Sequence, residues 1–365
     1  MKEKPWLKNL TPYPPGKTIE EIKKEIKITG PFYKLNSNEN PLGPSPKVIK
    51  ALENALNEIH LYPEASYFTL RKAIAEKWGL SPEEVILGNG SNEVLEFLYK
   101  AYLNRGDQII ISYPSFLMYK KFAEIYGIKY KKIPLRKDLK HDLKKIKSSL
   151  TARIKAIFID HPHNPTGQCL TREEWEEFFK ELPSEVLIVI DEAYGDFIDD
   201  PHVPLGIEFL KRSYPVLITR TFSKVYGLAG LRLGYGISSK EIVSTLNKVR
   251  QPFNVNYLAI VAGLAVLDDL SYQKESISLV LNGRKFLTEE LVSLGFKVYP
   301  SQANFIMVDF GSLVDEIYNN LIKAGIFVRP LKAYGFENAL RITIGTKEAN
   351  ERLLKIIKEI LSHKH

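Results

Sequence analysis

The chain has 365 residues, of which 44% are hydrophobic and 26% are charged, so it can bury one large core and a smaller second one. Its formal charge is +8, but the lysines are scattered among glutamates and form no arginine-rich block. This pattern argues against nucleic-acid binding and suits a surface with local positive pockets for small anionic substrates.

Cysteine usage and apolar patterning bear on location. The single cysteine, Cys169, excludes an internal disulfide framework and indicates a reducing compartment. Residues 1–6 contain no apolar run after their basic residues, so we predict no signal peptide. The apolar stretches are strand-sized, far short of the roughly 18–20 residues that span a membrane. We therefore predict a cytoplasmic protein without membrane association.

The first two-thirds of the chain divide into an arm and a large domain. Residues 1–40 are mostly polar, and we predict an N-terminal arm that packs with the smaller domain. Within residues 41–255, short apolar runs alternate with segments that are amphipathic at helical spacing. This alternation predicts an α/β domain with a mostly parallel sheet between helices. The predicted strands are 85–87, 108–112, 154–160, 187–191, 216–219 and 231–237, and the predicted helices are 93–102, 116–126 and 173–182.

The pattern changes after residues 252–256. Two helical stretches come first, then two short strands and a terminal helix, which predicts a smaller α+β domain over residues 256–365. The helices are predicted at 257–267, 273–294 and 347–361, and the strands at 303–308 and 340–344.

A lysine directly after a predicted strand is the first chemical signal. Lys224 stands in Thr221-Phe222-Ser223-Lys224, where the carboxyl end of the strand should place it beside a ligand. A lysine that forms a Schiff base needs access to a pocket and a lowered pKa. Thr221, Ser223 and Arg232 offer the donors that a phosphate monoester requires. A solvated turn lysine remains the alternative for this segment alone.

Two earlier segments should meet Lys224 at the same sheet edge. Asn164 lies in the loop after the strand that ends at Asp160, and Asp191 and Tyr194 follow the next strand. Pyridoxal phosphate (PLP) requires such a set. A carboxylate keeps its pyridine nitrogen protonated, donors hold the charge of its 3-oxygen, and a lysine anchors it and then moves the proton.

These three segments resemble those of fold-type I PLP enzymes, and the resemblance extends over nearly the whole chain. It implies that Lys224 is the Schiff-base lysine and general base, and that Asp191 is the partner of the pyridine nitrogen. Asn164 and Tyr194 would contact the 3-oxygen. The resemblance also implies a ring-stacking Phe116 and a phosphate site made of Ser91, Asn92, Thr221, Ser223 and Arg232.

Further segments resemble those of the histidinol-phosphate aminotransferase group, within the class II aminotransferases. The resemblance implies that Tyr62 reaches the cofactor phosphate of a neighbouring subunit, which makes the working unit a homodimer. Arg341 matches the arginine that receives the substrate carboxylate, and Arg329 a second arginine for a phosphate-bearing substrate. Asn40 and Tyr13 would also bind substrate. For Arg329 and Tyr13, an exposed polar side chain is the alternative. The segments are residues 35–46, 62–64, 250–256 and 301–305.

The activity that this resemblance implies is amino transfer between L-histidinol phosphate and 2-oxoglutarate, in histidine biosynthesis. An aromatic-amino-acid aminotransferase, or an enzyme with both activities, is the first alternative. A threonine-phosphate decarboxylase of the same fold is the second. A non-catalytic PLP-binding module is the third, but the lysine, aspartate and arginine set argues for catalysis.

Two pairs of polar residues invite other interpretations. His161 and His163 are two residues apart, but no third ligand stands nearby at metal-site spacing, so we predict a local loop role and no metal. Glu192 follows Asp191, but adjacent strand residues point to opposite faces, which makes the pair a poor acid–base dyad.

Overall fold

The computed structural model describes residues 1–8, 10–12 and 31–362. Its largest element is a seven-stranded sheet in the order β2-β8-β7-β6-β5-β3-β4. Strand β8 is antiparallel to both of its neighbours, and the other pairs are parallel. The strands are β2 (Val85–Asn89), β3 (Gln108–Tyr113), β4 (Lys129–Pro134), β5 (Ile154–Asp160), β6 (Leu187–Asp191), β7 (Val216–Thr221) and β8 (Leu233–Ile237).

Helices cover both faces of this sheet, and each face has its own apolar core. The central strands β5, β6 and β7 are buried along almost their whole length, as expected for parallel strands between two helical layers. The helices of this part are α1 (Pro46–Ala55), α2 (Phe68–Trp78), α3 (Ser91–Tyr102), α4 (Leu117–Tyr126), α5 (Leu143–Ser148), α6 (Arg172–Phe179), α7 (Gly206–Leu210), α8 (Lys240–Asn247) and α9 (Tyr257–Leu267).

The C-terminal part contains a four-stranded antiparallel sheet in the order β12-β13-β10-β9. Strand β1 (Tyr33–Lys34), near the N-terminus, pairs in parallel with β11 (Ile326–Phe327) of this part. The remaining elements are α10 (Leu270–Ser293), β9 (Lys297–Tyr299), β10 (Phe305–Asp309), α11 (Val314–Lys323), β12 (Arg329–Pro330), β13 (Ala339–Thr343) and α12 (Lys347–Ser362).

The predicted fold class is confirmed: a mostly parallel sheet between helices, followed by a smaller α+β part. The domain boundaries after residues 40 and 255 stay predictions. Strand β4 was not predicted, because its sequence Lys-Tyr-Lys-Lys-Ile-Pro has the polar character of an edge strand. Strand β8 begins at Leu233 because Arg232 has a left-handed backbone, with φ of +57°. No helix among the described residues is long and apolar enough to cross a membrane.

Candidate active site

A cavity of about 410 Å³ lies at the carboxyl edge of the large sheet, where β5, β6 and β7 end. This is the edge at which open α/β sheets bind ligands. Every predicted cofactor-binding residue except Tyr62 lines this cavity. These residues are Ser91, Asn92, Phe116, Asn164, Asp191, Tyr194, Thr221, Ser223, Lys224 and Arg232.

Lys224 follows the end of β7 and projects into the cavity. Its Nζ donates to the backbone carbonyl of Ser37 at 3.2 Å and lies 5.5 Å from the centre of the Tyr194 ring. Burial, followed by the charge of Arg341, lowers the pKa of Lys224 to about 7. In about half of the protein molecules Lys224 is therefore a neutral amine near pH 7. The neutral amine is the form that attacks a carbonyl or accepts a proton.

Asp191 is the last residue of β6, and it is almost fully buried. The Tyr119 hydroxyl donates to its Oδ2 at 2.8 Å, and the Ala193 backbone N–H donates to Oδ1 at 3.2 Å. Burial raises the pKa of Asp191 to about 6. The carboxylate is thus fixed in orientation and can serve as the anionic hydrogen-bond acceptor for a protonated ring nitrogen.

Asn164, Tyr194 and Arg341 form a hydrogen-bonded group beside Lys224. The Asn164 side chain accepts from Nη1 of Arg341 at 2.6 Å and lies 3.4 Å from the Tyr194 hydroxyl. That hydroxyl also accepts from the Asn38 side chain at 3.0 Å. The phenol and amide are therefore held side by side, an arrangement that suits two contacts to one ligand oxygen.

The opposite end of the cavity is suited to a phosphate. Helix α3 begins at Ser91, and the first N–H groups of a helix have no partners within the helix. The Arg232 guanidinium lies 3.5 Å from the Ser223 hydroxyl, and its Nη2 lies against Gly90. Gly90 has φ of +78°, and a Cβ there would come within 2.6 Å of that Nη2. Only glycine leaves room for the guanidinium at this helix N-terminus.

Taken together, these contacts fit PLP. The phosphate cradle that a Gly90 side chain would fill lies at one end of the cavity. The carboxylate of Asp191, the amide and phenol of Asn164 and Tyr194, and the lysine amine of Lys224 also line it. These residue types are the ones that the phosphate, ring nitrogen, 3-oxygen and aldehyde of the cofactor require, and the role assigned to each residue stays a prediction.

Among the described residues, four predicted site residues do not line the cavity: Arg341, which contacts Asn164 of the wall, and Tyr62, Asn40 and Arg329. Tyr62 is 82% exposed and stacks on Phe253, with ring centroids 4.6 Å apart. Asn40 donates to the Val225 carbonyl at 2.9 Å and is not part of the cavity wall. Arg329 also lies outside the wall, directly across from Arg341 in the β12–β13 pair. Tyr13 lies outside the described residues. Their assigned roles stay predictions.

Seven further residues of the cavity wall were not among the predicted site residues: Ser37, Glu39, Tyr119, Asp160, Ala193, Ala229 and Gly230. Tyr119 is three residues after Phe116, so the spacing within the predicted helix 116–126 could have placed both on one face. Asp160 could have been found too, because it is the last residue of a predicted strand, as Asp191 is.

The histidines next to this site behave differently from the sequence expectation in one respect. The sequence predicted no third metal ligand near His163. Folding nevertheless brings His141 and Asp160 close to it, so that the possible metal-ligand atoms of the three side chains lie within 4.8 Å of one another. The ring nitrogens of both histidines are engaged, however. His141 contacts the Ser112 hydroxyl and the Asp160 carbonyl, and His163 contacts Thr166 and the Pro114 carbonyl. The cluster is therefore a hydrogen-bonded support of the Asn164 loop, as predicted for His163.

Glu192 faces away from the cavity, as the alternation along a strand predicts. Its carboxylate accepts from Arg220 at 2.6 Å and from the backbone N–H of Gly206, and it is buried. Asp191 and Glu192 thus belong to different environments and form no dyad.

Comparison with known proteins identifies the family. The aminotransferase class I and II family matches residues 31–357. The chain is 43% identical over 358 residues to a histidinol-phosphate aminotransferase of Desulfotalea psychrophila, covering 97% of this chain and 94% of that protein. A histidinol-phosphate aminotransferase of Anaeromyxobacter sp. is also 43% identical, covering 98% of each chain. The crystal structure of histidinol-phosphate aminotransferase from Sinorhizobium meliloti in complex with pyridoxal-5'-phosphate superposes with a TM-score of 0.88, at 25% identity and 98% coverage of both chains. This chain belongs to the aminotransferase class I and II family.

Proposed function

We propose that this enzyme uses PLP to transfer an amino group between L-histidinol phosphate and 2-oxoglutarate, as a step of histidine biosynthesis. The observation that carries the substrate assignment is the pairing of Arg329 with Arg341. Directly opposed residues of antiparallel strands project from the same face with Cβ atoms about 4.5–5.5 Å apart. This register allows both arginines to serve one anion, and a pair of guanidinium groups suits a dianionic phosphate better than a single carboxylate.

Each cavity residue then has a chemical task. Bound PLP supplies an electron sink that stabilises the negative charge left on the substrate carbon after its proton is removed. Asp191 holds the proton on the pyridine nitrogen, and Tyr119 fixes the orientation of Asp191. Lys224 would accept the proton from the substrate carbon and return it at C4′ of the cofactor. A pKa of about 7 allows the lysine amine to do both near neutral pH.

The other residues bind and orient. Asn164 and Tyr194 donate to the 3-oxygen of the cofactor, and Phe116 stacks on its ring. Ser91, Asn92, Thr221, Ser223 and Arg232 bind its phosphate. Arg341, with Arg329 beside it, receives the phosphate of histidinol phosphate, and Arg341 receives a carboxylate of glutamate or 2-oxoglutarate.

We also propose that the enzyme works as a homodimer in which Tyr62 completes the phosphate site of the partner. The support is the exposure of Tyr62, which stacks on the exposed Phe253 and belongs to a stretch of chain with several exposed apolar side chains. The exposed large side chains of this region are Ile49, Leu56, Ile59, Leu61, Tyr62, Phe68 and Phe253. A cytoplasmic location stays a prediction.

Steady-state kinetics test the substrate assignment. Purified enzyme is assayed with histidinol phosphate, phenylalanine, tyrosine and threonine phosphate, each with 2-oxoglutarate as acceptor. We expect the highest kcat/KM for histidinol phosphate. A preference for phenylalanine or tyrosine would replace the assignment by the aromatic alternative. Release of carbon dioxide from threonine phosphate would replace it by the decarboxylase.

A further inference from the structure

A second buried carboxylate lies next to Asp191. Asp160 is the last residue of β5 and pairs in register with Asp191, the last residue of β6. Residues paired in register on neighbouring strands project from the same face of a sheet. Both side chains line the cavity, and both are at most 4% exposed. Two carboxylates therefore sit side by side at the buried end of the cofactor site.

Uncharged groups surround Asp160 in the contacts that the structure shows. Its Oδ2 accepts from the Asn164 backbone N–H at 2.8 Å, and the Phe116 backbone N–H also stabilises the ionised form. His141 lies 3.5 Å from Oδ1, but its Nε2–H donates to the Asp160 carbonyl at 2.8 Å. Burial lowers the pKa of His141 to about 4, so this histidine is neutral at pH 7.

Oδ1 of Asp160 is buried and has no hydrogen-bond partner among the described residues. Burial raises the pKa of Asp160 to about 6, so the carboxyl group is still ionised above neutral pH. An ionised carboxylate beside a second one is costly in a buried site unless a cation is close. A positive group bound in the cavity would therefore be stabilised by Asp160 as well as by Asp191.

We infer that Asp160 is a second cofactor-site carboxylate, which acts with Asp191 to stabilise the positively charged pyridine ring and positions Phe116 and Asn164 through their backbone N–H groups. This inference rests on the proposed use of PLP. One carboxylate thereby links the residue that stacks on the ring to the residue that contacts the 3-oxygen. Five titratable groups face Asp160. They are His141 from the segment after β4, His163 from the Asn164 loop, Asp191 at the end of β6, Tyr119 from α4 and Tyr194 from the segment after β6.

The pH titration of the visible absorption band of the cofactor-loaded enzyme tests this inference. Asp160→Asn removes the charge, while its amide oxygen can still accept from the Asn164 N–H. Loss of a nearby negative charge disfavours the protonated cofactor. We therefore expect the titration midpoint to fall by about 0.5–1.5 pH units. A merely structural residue would not move this midpoint in a variant that binds PLP and retains the wild-type circular dichroism.

Asp142→Asn is the matched control. Asp142 caps α5 from the same segment as His141, and asparagine caps helices equally well, so its titration should equal that of wild type. Asp160→Ser, which also removes the charge and fills less space, serves as the second variant and should shift the midpoint in the same direction. An unchanged midpoint in a folded, PLP-bound Asp160 variant would overturn the inference. Absence of any visible band from the wild-type enzyme with PLP would instead overturn the proposed cofactor.

Discussion

Arg341 donates from Nη1 to the Asn164 side-chain oxygen at 2.6 Å, and this single contact joins the substrate end of the site to the cofactor end. Nη2 of the same guanidinium donates to the Asn36 carbonyl at 2.8 Å. The planar fork therefore has a fixed orientation before a substrate anion arrives. It also holds the Asn164 amide so that its nitrogen lies on the side of the Tyr194 hydroxyl.

Arg341→Lys tests this double role. An ammonium group cannot reproduce two diverging hydrogen bonds and bind an anion at the same time. We expect kcat/KM to fall at least about tenfold for every substrate, since one charge-assisted hydrogen bond is worth about 1.5–3 kcal/mol. The affinity for PLP should also weaken, because Asn164 loses its partner. The same kcat/KM as wild type for both histidinol phosphate and glutamate would remove Arg341 from the anion site.

Lys224→Met should stabilise the cofactor-free protein, and more at low pH. A lysine with a pKa of about 7 in the folded state and about 10.5 when unfolded binds fewer protons when folded. Its destabilisation is complete below pH 7 and disappears as the pH rises towards 10.5. We expect a gain of about 1–2 kcal/mol in the free energy of unfolding at pH 6.5, and less at pH 9.5.

Urea denaturation at the two pH values measures this difference. Lys347→Met is the control, since the Lys347 side chain is 88% exposed and should show no such pH dependence. An equal gain in the free energy of unfolding at both pH values would mean that the charge of Lys224 does not destabilise the folded protein. The same Lys224 variant should be catalytically inactive, because it lacks both the anchor and the base.

Asp191→Asn and Tyr119→Phe should differ in the size of their effects. The asparagine cannot hold a proton on the pyridine nitrogen, so kcat should fall by at least about a hundredfold, since charge stabilisation at such sites is worth several kcal/mol. Tyr119→Phe leaves the charge and removes one hydrogen bond, so we expect a loss of roughly threefold to tenfold. Single-turnover kinetics separate these effects from binding. Equal losses for the two variants would contradict the assigned roles.

Arg329→Ala separates phosphate-bearing from aromatic substrates. A dianion gains more from a second guanidinium than a monoanion does. We therefore expect kcat/KM for histidinol phosphate to fall by at least about tenfold, with a smaller loss for tyrosine or phenylalanine. Arg352→Ala, on the C-terminal helix α12, is a control for loss of positive charge away from the cavity wall. Equal losses for both substrate classes would make Arg329 a general binding residue.

The shared site can be tested by mixing two inactive proteins. Lys224→Ala subunits lack the base, and Tyr62→Ala subunits lack the residue proposed to reach the partner's phosphate site. A hybrid dimer contains one intact site, so activity should return towards about a quarter of wild type after subunit exchange. The test requires that Tyr62→Ala alone is impaired. Sedimentation of an active wild-type monomer at assay concentration would refute the shared site.

Sequence patterns were sufficient for the parts of the site that follow single strands. Lys224, Asp191 and Asn164 each come after a buried apolar run, and parallel strands bring such positions to one edge. Contacts between distant segments carry no such local signal. His141 and Asp160 are 19 residues apart in the sequence, and Arg341 and Asn164 are 177 apart, so their approach depends on how distant segments pack together.

The pairing of β1 with β11 has a mechanical consequence. Residues 33–34 are hydrogen-bonded to the C-terminal part, and Asn38 is held by Thr343 of β13. The neighbouring Ser37 carbonyl, however, accepts from Lys224, which belongs to the large sheet. Ser37 and Asn38 therefore connect the C-terminal part to Lys224 and Tyr194 at the cavity. The Lys224 amine and the Tyr194 phenol are thus linked, through two adjacent residues, to strand β13 of the C-terminal sheet.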